Sequence, residues 1–179
     1  REMIKNNCMG AKSFCDIFSG TTNVARFFKK DFSIISNDLL YFSFVLQKAT
    51  IENNIISNFS NLKKNKIDDP LKYLNEFEPK IEDLKSEPFI FTNYTPNQNH
   101  DRSYFSKDNA LKIDFIRQKI EEWKNNKLIE EYQYYYLIAS LIEAVPFVSN
   151  IAGTFGAYLK HWDKRAFKKI ELKHLEIIN

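Results

Sequence analysis

The sequence predicts an α/β fold that opens with two parallel strands and continues as a mainly helical region. Two observations predict it. Short apolar runs alternate with helically spaced apolar residues over the first fifty positions, and the later segments carry long helical periodicities. The chain has 179 residues, of which 44% are hydrophobic and 27% charged, so it can bury a sizeable core and is not of disordered composition.

The first fifty residues predict a strand–turn–helix–strand–helix unit. The predicted elements are a buried strand at 13–18 (SFCDIF), a turn at Ser19–Gly20, a helix over 24–30, a strand at 32–36 (FSIIS), and a helix over 37–49 that begins at Asn37 or Asp38. Cys15 lies inside the first apolar run, so we expect a buried free thiol there.

The rest of the chain looks mainly helical. A polar, weakly helical segment broken by prolines covers 53–88, and an extended segment followed by a polar loop covers 89–106. Two clear helices are predicted, one from an Asp108 cap to Asn125 and one over 130–144. We therefore divide the chain into 1–52, 53–148 and 149–179.

Several classes of protein are disfavoured by composition. Two cysteines do not support a disulfide framework, and the three histidines have no metal-ligand spacing with them, so we expect no metal site. The longest apolar stretch is too short to span a bilayer, and no signal pattern is visible, so we expect a cytoplasmic protein. A formal charge of +3 permits a nucleic-acid partner only where cations cluster.

The first turn has the chemistry of a nucleoside site. Small residues after Asp16 let the backbone approach a ligand, and Asp38 follows the second strand at a spacing typical of ribose-binding carboxylates. A full glycine-rich phosphate fingerprint is absent, which favours a nucleoside without a pyrophosphate, such as S-adenosylmethionine. A purely structural turn without a ligand is the alternative.

Several strings together resemble one family. FCDIFSGTTNVARFFKK and SNDLLYFSFVLQKA resemble the first two motifs of the D12-class adenine-specific DNA methyltransferases. NYTP, RSYFSKDNALKIDFIRQKIEEW and the long string that starts at EYQYYYLIASLIEAVPFVSNIAGTFGAYLK are similar to the segment that this family carries before its catalytic motif. The resemblance implies a Rossmann-like S-adenosylmethionine-dependent methyltransferase fold with a partial sheet and a mainly helical insertion. It implies that 1–52 is the cofactor-binding unit and that 53–148 is the helical insertion and a candidate DNA target-recognition region. Residues 149–179 would be a glycine-containing loop and basic segment that lead toward the catalytic motif.

The resemblance also implies a cofactor site. Asp16, Phe18, Ser19, Gly20 and Thr21 would surround the methionine part of S-adenosylmethionine, Asp38 would hold the ribose, and Asn37 and Leu39 would lie near the adenine. The family usually has glycine where Thr22 stands, which predicts a turn of altered geometry.

The family's chemistry depends on a [DNS]-Pro-Pro-[YF] tetrapeptide, and this chain contains no Pro-Pro. No catalytic residue is therefore assigned. The resemblance implies that the chain is the cofactor-binding part of an enzyme that methylates the exocyclic amine of adenine in double-stranded DNA, in a restriction–modification system. The missing motif would come from a C-terminal half or a second polypeptide. The alternative is an inactive DNA- or protein-binding module; methylation of RNA or of a small molecule also stays open.

Cations interleaved with aromatic residues near the C-terminal end suit a nucleic-acid groove, although a solvated helix face is equally compatible with them. Two glycines in the preceding loop suggest a close approach to the DNA backbone or to the flipped base, with a tight helix-packing turn as the alternative. The candidate DNA-binding residues are Asn150, Gly153, Tyr158, Lys160, Lys164 and Arg165, with Arg102 and Tyr104 from the polar loop.

Overall fold

The computed structural model describes residues 2–55 and 58–178, with the backbone alone for Lys5. These residues form two compact units. One contains residues up to 55 together with 175–178, and the other contains 58–174. Residues 149–174 thus belong to the same unit as the mainly helical region.

The first unit is built around a two-stranded parallel sheet. It comprises α1 (Glu2–Asn7), β1 (Ser13–Asp16), α2 (Asn23–Phe28), β2 (Ser33–Ser36) and α3 (Tyr41–Gln47), which continues as a π-helical turn over Lys48–Glu52. Ser13 pairs with Ser33 and Asp16 with Ser36, so the carboxyl ends of both strands meet at one edge. The strand–helix–strand order predicted from the sequence is confirmed.

Two expectations for this unit were wrong in detail. The strands alternate between exposed and half-buried residues, so the prediction of a buried strand at 13–18 and of a buried Cys15 thiol was wrong. The helix predicted over 37–49 begins at Tyr41, as α3, rather than at residue 37 or 38. Asp38 stays outside this helix because its carboxylate accepts hydrogen bonds from the Leu40 and Gly20 amides.

The second unit is helical. Its helices are α4 (Ser60–Lys64), α5 (Pro70–Glu76), α6 (Phe89–Tyr94), α7 (Lys107–Asn125) and α8 (Glu131–Ala144), with 3₁₀ turns at Ile81–Asp83, Val145–Val148 and Lys164–Phe167. The long helix α7 packs against both α6 and α8. The core of this unit lies along that contact, where Ile116, Ile120 and Leu137 are fully buried.

The two long helices were predicted within a few residues. The end of α7 at Asn125 and the extent of α8 are confirmed, and Glu130 with Gln133 forms a reciprocal cap at the start of α8. Asp108 does not cap α7, since the Ser106 hydroxyl accepts the bond from the Asn109 amide.

The extended segment expected at 89–106 is also wrong, because its first part is the helix α6. The reason is tertiary. The buried carboxylate of Asp114, on α7, accepts bonds from the Ile90 and Phe91 amides at 2.9 and 2.8 Å and so caps α6 from another helix. Burial raises the pKa of Asp114, against the lowering effect of the backbone amides of Ile90 and Phe91.

Asparagine side chains hold the segment 166–172, which contains no strand and no α-helix. Asn109 on α7 donates to the carbonyls of Ala166 and Lys168 at 2.9 and 2.8 Å and accepts from the Ile170 amide at 3.0 Å. Asn75 accepts from the Leu172 amide and donates to its carbonyl, at 2.8 and 3.0 Å. The two asparagine side chains make the backbone hydrogen bonds that a neighbouring strand would otherwise make. Ile170 and Leu172 can therefore be buried.

Replacing Asn109 by alanine should destabilise the helical unit. The change leaves one buried carbonyl, one partly buried carbonyl and one buried amide without their side-chain partner, which predicts a loss of roughly 3 kcal/mol in the free energy of unfolding. Urea titration followed by circular dichroism measures it, and hydrogen exchange at the Ile170 amide should accelerate more than at Leu172, which Asn75 still holds.

Asn125→Ala provides the control, because that side chain is exposed at the last position of the same helix and its loss should change stability by no more than about 0.5 kcal/mol. Equal unfolding free energies for the two variants would show that the Asn109 bonds do not stabilise this segment.

Candidate functional site

The predicted cofactor residues lie together at the carboxyl edge of the sheet. The loop after β1 is tied to the loop after β2 by backbone and side-chain hydrogen bonds. The Ser19 amide and hydroxyl both donate to the Asn37 carbonyl at 3.0 Å, and the Asn37 amide donates to the Asp16 carbonyl at 2.9 Å. The two loops therefore form one connected wall at the carboxyl edge of the sheet.

Asp38 is the central link of this wall. One carboxylate oxygen accepts from the Gly20 amide and the other from the Leu40 amide, both at 2.9 Å. These two amides, Leu40 first, hold the pKa of Asp38 below its ordinary value, so the carboxylate stays ionised. A carboxylate has about four acceptor positions, so Asp38 retains capacity for further donors such as ribose hydroxyls.

Side chains around the turn leave room for a ligand. A β-carbon placed on Gly20 would meet nothing within 4 Å, so the space beside the turn is open. Phe18 is 83% exposed and Leu39 is 97% exposed, one on each of the two loops, and each presents an apolar surface. Thr21 is exposed. The Asn37 side-chain nitrogen donates a hydrogen bond to the Ile17 carbonyl.

Asp16 differs from Asp38 in its surroundings. It ends β1 and is half-buried, and among the described residues no hydrogen bond to its side chain is found. Its carboxylate is thus open to an outside cation or donor. Together the two carboxylates, the open turn and the apolar side chains could hold a ligand that combines a positive charge, hydroxyl donors and an apolar ring.

Thr22 occupies a strained backbone position. Its φ is +64°, in the left-handed region that β-branched residues avoid, yet it is fully buried. The Thr22 and Thr50 hydroxyls lie 3.3 Å apart. Threonine thus takes up the conformation for which glycine is suited, at the position where the resemblance leads us to expect glycine.

Sequence reasoning missed the support behind the turn. The Gln47 side chain donates to the Ser19 hydroxyl at 2.8 Å, and the Ser43 hydroxyl lies 3.4 Å from the same atom. Both come from α3. Their spacing of four residues on one helical face is the only available signal, and it does not distinguish a support from an ordinary polar face.

The candidate DNA-binding residues gather around a short hairpin in the second unit. Ile151 and Tyr158 form an antiparallel bridge, and the connecting residues 152–157 are exposed. Gly153 has φ +110°, which favours glycine, and has open space around its α-carbon. The hairpin tip is therefore accessible.

Asn150 lies beneath that hairpin and is fully buried. Its side-chain amide donates to the Ser103 and Leu159 carbonyls at 2.9 and 3.1 Å, and its oxygen accepts from the Asp163 amide at 2.9 Å. Every side-chain polar atom is thus engaged within the protein, so Asn150 positions the hairpin rather than offering an atom to DNA.

The aromatic candidates form a stack. The Tyr104 ring meets Tyr94 at 5.4 Å and Tyr158 at 5.1 Å between centroids, both edge to face. This joins the polar loop to the hairpin and adds about 1 kcal/mol for each ring pair beyond burial.

The cationic candidates divide into two groups. Arg165 donates to the Ile151 carbonyl and pairs with Asp163, and Arg102 donates to the Asn93 carbonyl at 3.3 Å, so both guanidinium groups have structural partners. Lys160 and Lys164 are exposed, and within the part of the chain that the structure describes no ion pair involves them. These lysines are the residues able to meet phosphates.

Over residues 2–55 and 58–178, no group of three or more histidine, cysteine, aspartate or glutamate side chains could hold a metal ion. In the same described residues, every helix is either too short or too polar to cross a bilayer.

Thr22→Gly should be more stable than Thr22→Ala. Both variants lose the hydroxyl contact with Thr50, but only alanine keeps a β-carbon at positive φ, which predicts a difference of about 1 kcal/mol in unfolding free energy. Urea titration measures it. Thr21 is the control, because its φ is not among the positive values of the described residues. There the alanine variant should be more stable than the glycine variant. The same order of stability at both positions would contradict the strain at Thr22.

Proteins of similar sequence match all or nearly all of the chain. The chain is 53% identical over 182 residues to Type II methyltransferase M.FokI from Planomicrobium okeanokoites, covering 100% of this chain and 27% of that protein. It is 43% identical over 180 residues to Modification methylase StsI from Streptococcus sanguinis, with the same two shares. Type II methyltransferase M.NlaIII from Neisseria lactamica is 36% identical over 95% of this chain and 47% of its own length.

The chain therefore spans between about a quarter and a half of the length of these relatives. No solved structure gives a significant match. A family model described as D12 class N6 adenine-specific DNA methyltransferase matches residues 1–179. The chain belongs to the D12 class of N6 adenine-specific DNA methyltransferases.

Proposed function

We propose that this chain is the cofactor-binding and DNA-contacting part of an enzyme that methylates the exocyclic amine of adenine in DNA, within a restriction–modification system. Its two-stranded sheet would be the first part of a Rossmann-like methyltransferase sheet. The observation that carries the proposal is the wall of two connected loops at the carboxyl edge of that sheet, held by Asp38 and flanked by Asp16, in a chain of this family.

Asp38 binds two donors already and has acceptor capacity left, which suits a ribose that offers two neighbouring hydroxyls. Its bond to Gly20 is made before a ligand arrives, so little ordering is required on binding. Leu39 and Phe18 offer apolar contact to an adenine ring. Bound there, S-adenosylmethionine would supply an electrophilic methyl group on a positively charged sulfur.

Asp16 would act through its charge. A carboxylate with no internal partner among the described residues, half-buried at the end of β1, favours the cofactor's amino group and sulfonium over neutral analogues. The residues before α2 would then orient the donor, which matters because positioning of two reactants supplies roughly 7–11 kcal/mol of a barrier.

The acceptor base needs residues that this chain does not contain. An adenine inside a duplex must be swung out and hydrogen-bonded at its amine, and the family's Pro-Pro tetrapeptide, absent from this sequence, would serve that step. We propose that a further polypeptide segment supplies it. The exposed face of the sheet, where Ile35 is 58% exposed and Cys15 is exposed, is an apolar surface that such a segment could cover.

Removal of the Asp16 charge should weaken binding of S-adenosylmethionine. Asp16→Asn loses a charge-assisted contact of about 1.5–3 kcal/mol, which corresponds to roughly ten- to a hundredfold in dissociation constant. Isothermal titration with S-adenosylmethionine and with sinefungin measures it. The variant removes no side-chain hydrogen bond of the turn among the described residues, whereas Asp38→Ala removes two.

Asp68→Asn, an exposed aspartate of the helical unit, is the matched control. No binding by the folded wild-type chain, or equal dissociation constants for the Asp16 and Asp68 variants, would overturn the proposed cofactor site. Methyl transfer to a duplex, after addition of a polypeptide carrying the tetrapeptide, would distinguish an enzyme part from an inactive module.

Lys160 and Lys164 should account for salt-sensitive binding to DNA. Replacing both by alanine removes about two phosphate contacts, so the slope of log affinity against log salt should fall by about 1.8. Fluorescence anisotropy with a labelled duplex at several salt concentrations measures it. Lys63→Ala with Lys64→Ala, exposed on α4, is the control, and an equal slope change there would argue against a contact at Lys160 and Lys164.

A further inference from the structure

An open cavity lies in the loop that joins α6 to α7, apart from the residues assigned to DNA so far. Its volume is about 410 Å³, within the range of ligand sites. Phe91 and Pro96 give the cavity an apolar lining. The polar side chains of Gln98, Asn99 and Lys107 line the same space. No carboxylate is among its lining residues within the described chain, so its chemistry is that of neutral amides and one cation.

The side chain of Asn97 holds this loop in one conformation. The Asn97 side-chain oxygen accepts from the Asn99 amide at 2.8 Å, and its nitrogen donates to the Thr92 carbonyl at 2.7 Å. The Asn97 backbone amide donates to the His100 carbonyl at 3.0 Å. The turn at 97–100 is therefore fixed without using the side chains of Gln98 and Asn99.

Those two amides are available to a ligand. Both residues are exposed, and across residues 2–55 and 58–178 neither side chain has a hydrogen-bond partner. Each carries one acceptor oxygen and two donor hydrogens, the combination that pairs in two-point fashion with N6 and N7 of adenine. Lys107 is exposed at the first position of α7, where it can meet a phosphate of the same strand.

The loop that forms the cavity is joined by contacts to the hairpin of the candidate DNA surface. The loop leaves α6 at Tyr94 and returns at Tyr104, whose amide donates to the Tyr94 carbonyl at 3.1 Å. Tyr104 also packs against Tyr158 of the hairpin, at 5.1 Å between ring centroids, and Asn150 holds the Ser103 carbonyl at 2.9 Å. A duplex lying on the hairpin therefore lies beside this loop.

We propose that Gln98 and Asn99 read adenine edges in the major groove and so determine the DNA sequence that the protein prefers, while Lys107 contacts a phosphate. This inference rests on the proposed function, since it requires DNA as the partner. It assigns the direct sequence readout to the loop at 97–100, whereas Lys160 and Lys164 supply affinity that does not depend on sequence.

Selection from a pool of randomised duplexes, with the full 179-residue chain, measures the preference. The wild-type chain should enrich duplexes with adenine at one or two fixed positions. Gln98→Ala with Asn99→Ala should lower the discrimination at those positions between about five- and a hundredfold, at nearly unchanged affinity for other duplexes. Lys107→Ala should weaken binding to all duplexes and lower the salt slope by about one.

The matched control is Asn125→Ala, an exposed amide at the other end of α7. A chemical test of the same contact replaces each preferred adenine by 7-deazaadenine, which lacks N7. The change should weaken binding by the wild-type chain and should have no further effect on the Gln98 and Asn99 double variant.

A chain that binds all duplexes equally, or a double variant that keeps the wild-type preference, overturns the inference. Either result leaves the proposed cofactor site intact if S-adenosylmethionine still binds with dependence on Asp16. Loss of that dependence, with the adenine preference retained, would instead overturn the proposed cofactor site and support the readout loop.

Discussion

The helical unit depends on hydrogen bonds between asparagine side chains and backbone groups that have no partner in a helix or a sheet. Asn75, Asn109 and Asn150 together serve five stretches of chain that have few ladder bonds of their own. Each amide offers both donors and an acceptor, so one residue satisfies two or three buried backbone groups. Without them, residues 159–172 would expose polar backbone to an apolar core, which costs more than the burial of Ile170 and Leu172 returns.

Buried charges serve the same end in both units. Lys112, 7% exposed on α7, donates to the Asn75 carbonyl at 3.1 Å and to the Phe77 carbonyl at the end of α5. Lys29 donates to the Thr50 and Asn53 carbonyls, at 3.0 and 2.9 Å, around the π-helical turn. Burial lowers the pKa of both lysines, yet a cation at a helix C-terminus meets the negative end of the helix dipole. These two lysines position helix ends, so not every lysine of the chain serves only as a solvent-exposed surface charge.

The elements that the sequence predicted well are those whose signals are local. The two long helices carry apolar periodicity and a capping pair at Glu130 and Gln133, and the strands of the sheet carry short apolar runs. The helix α6 was missed because its cap is Asp114, which lies more than twenty residues away in the chain. The buried role of Asn150 was equally invisible, since its partners at Ser103, Leu159 and Asp163 come from separate segments.

The candidate cofactor turn shows why residue types alone could not give its geometry. Spacing identified Asp38 as a free carboxylate for a ribose, whereas its oxygens already bind Gly20 and Leu40. This second task does not exclude the first, because an ionised carboxylate accepts more than two hydrogen bonds. It also explains how a turn with a strained Thr22 keeps one conformation. The strain is local to φ, while the bonds from Asp38, Ser19 and Gln47 hold both sides of the turn at once. A ligand that reaches this turn would therefore meet a wall already in place, and none of its binding free energy would be needed to assemble one.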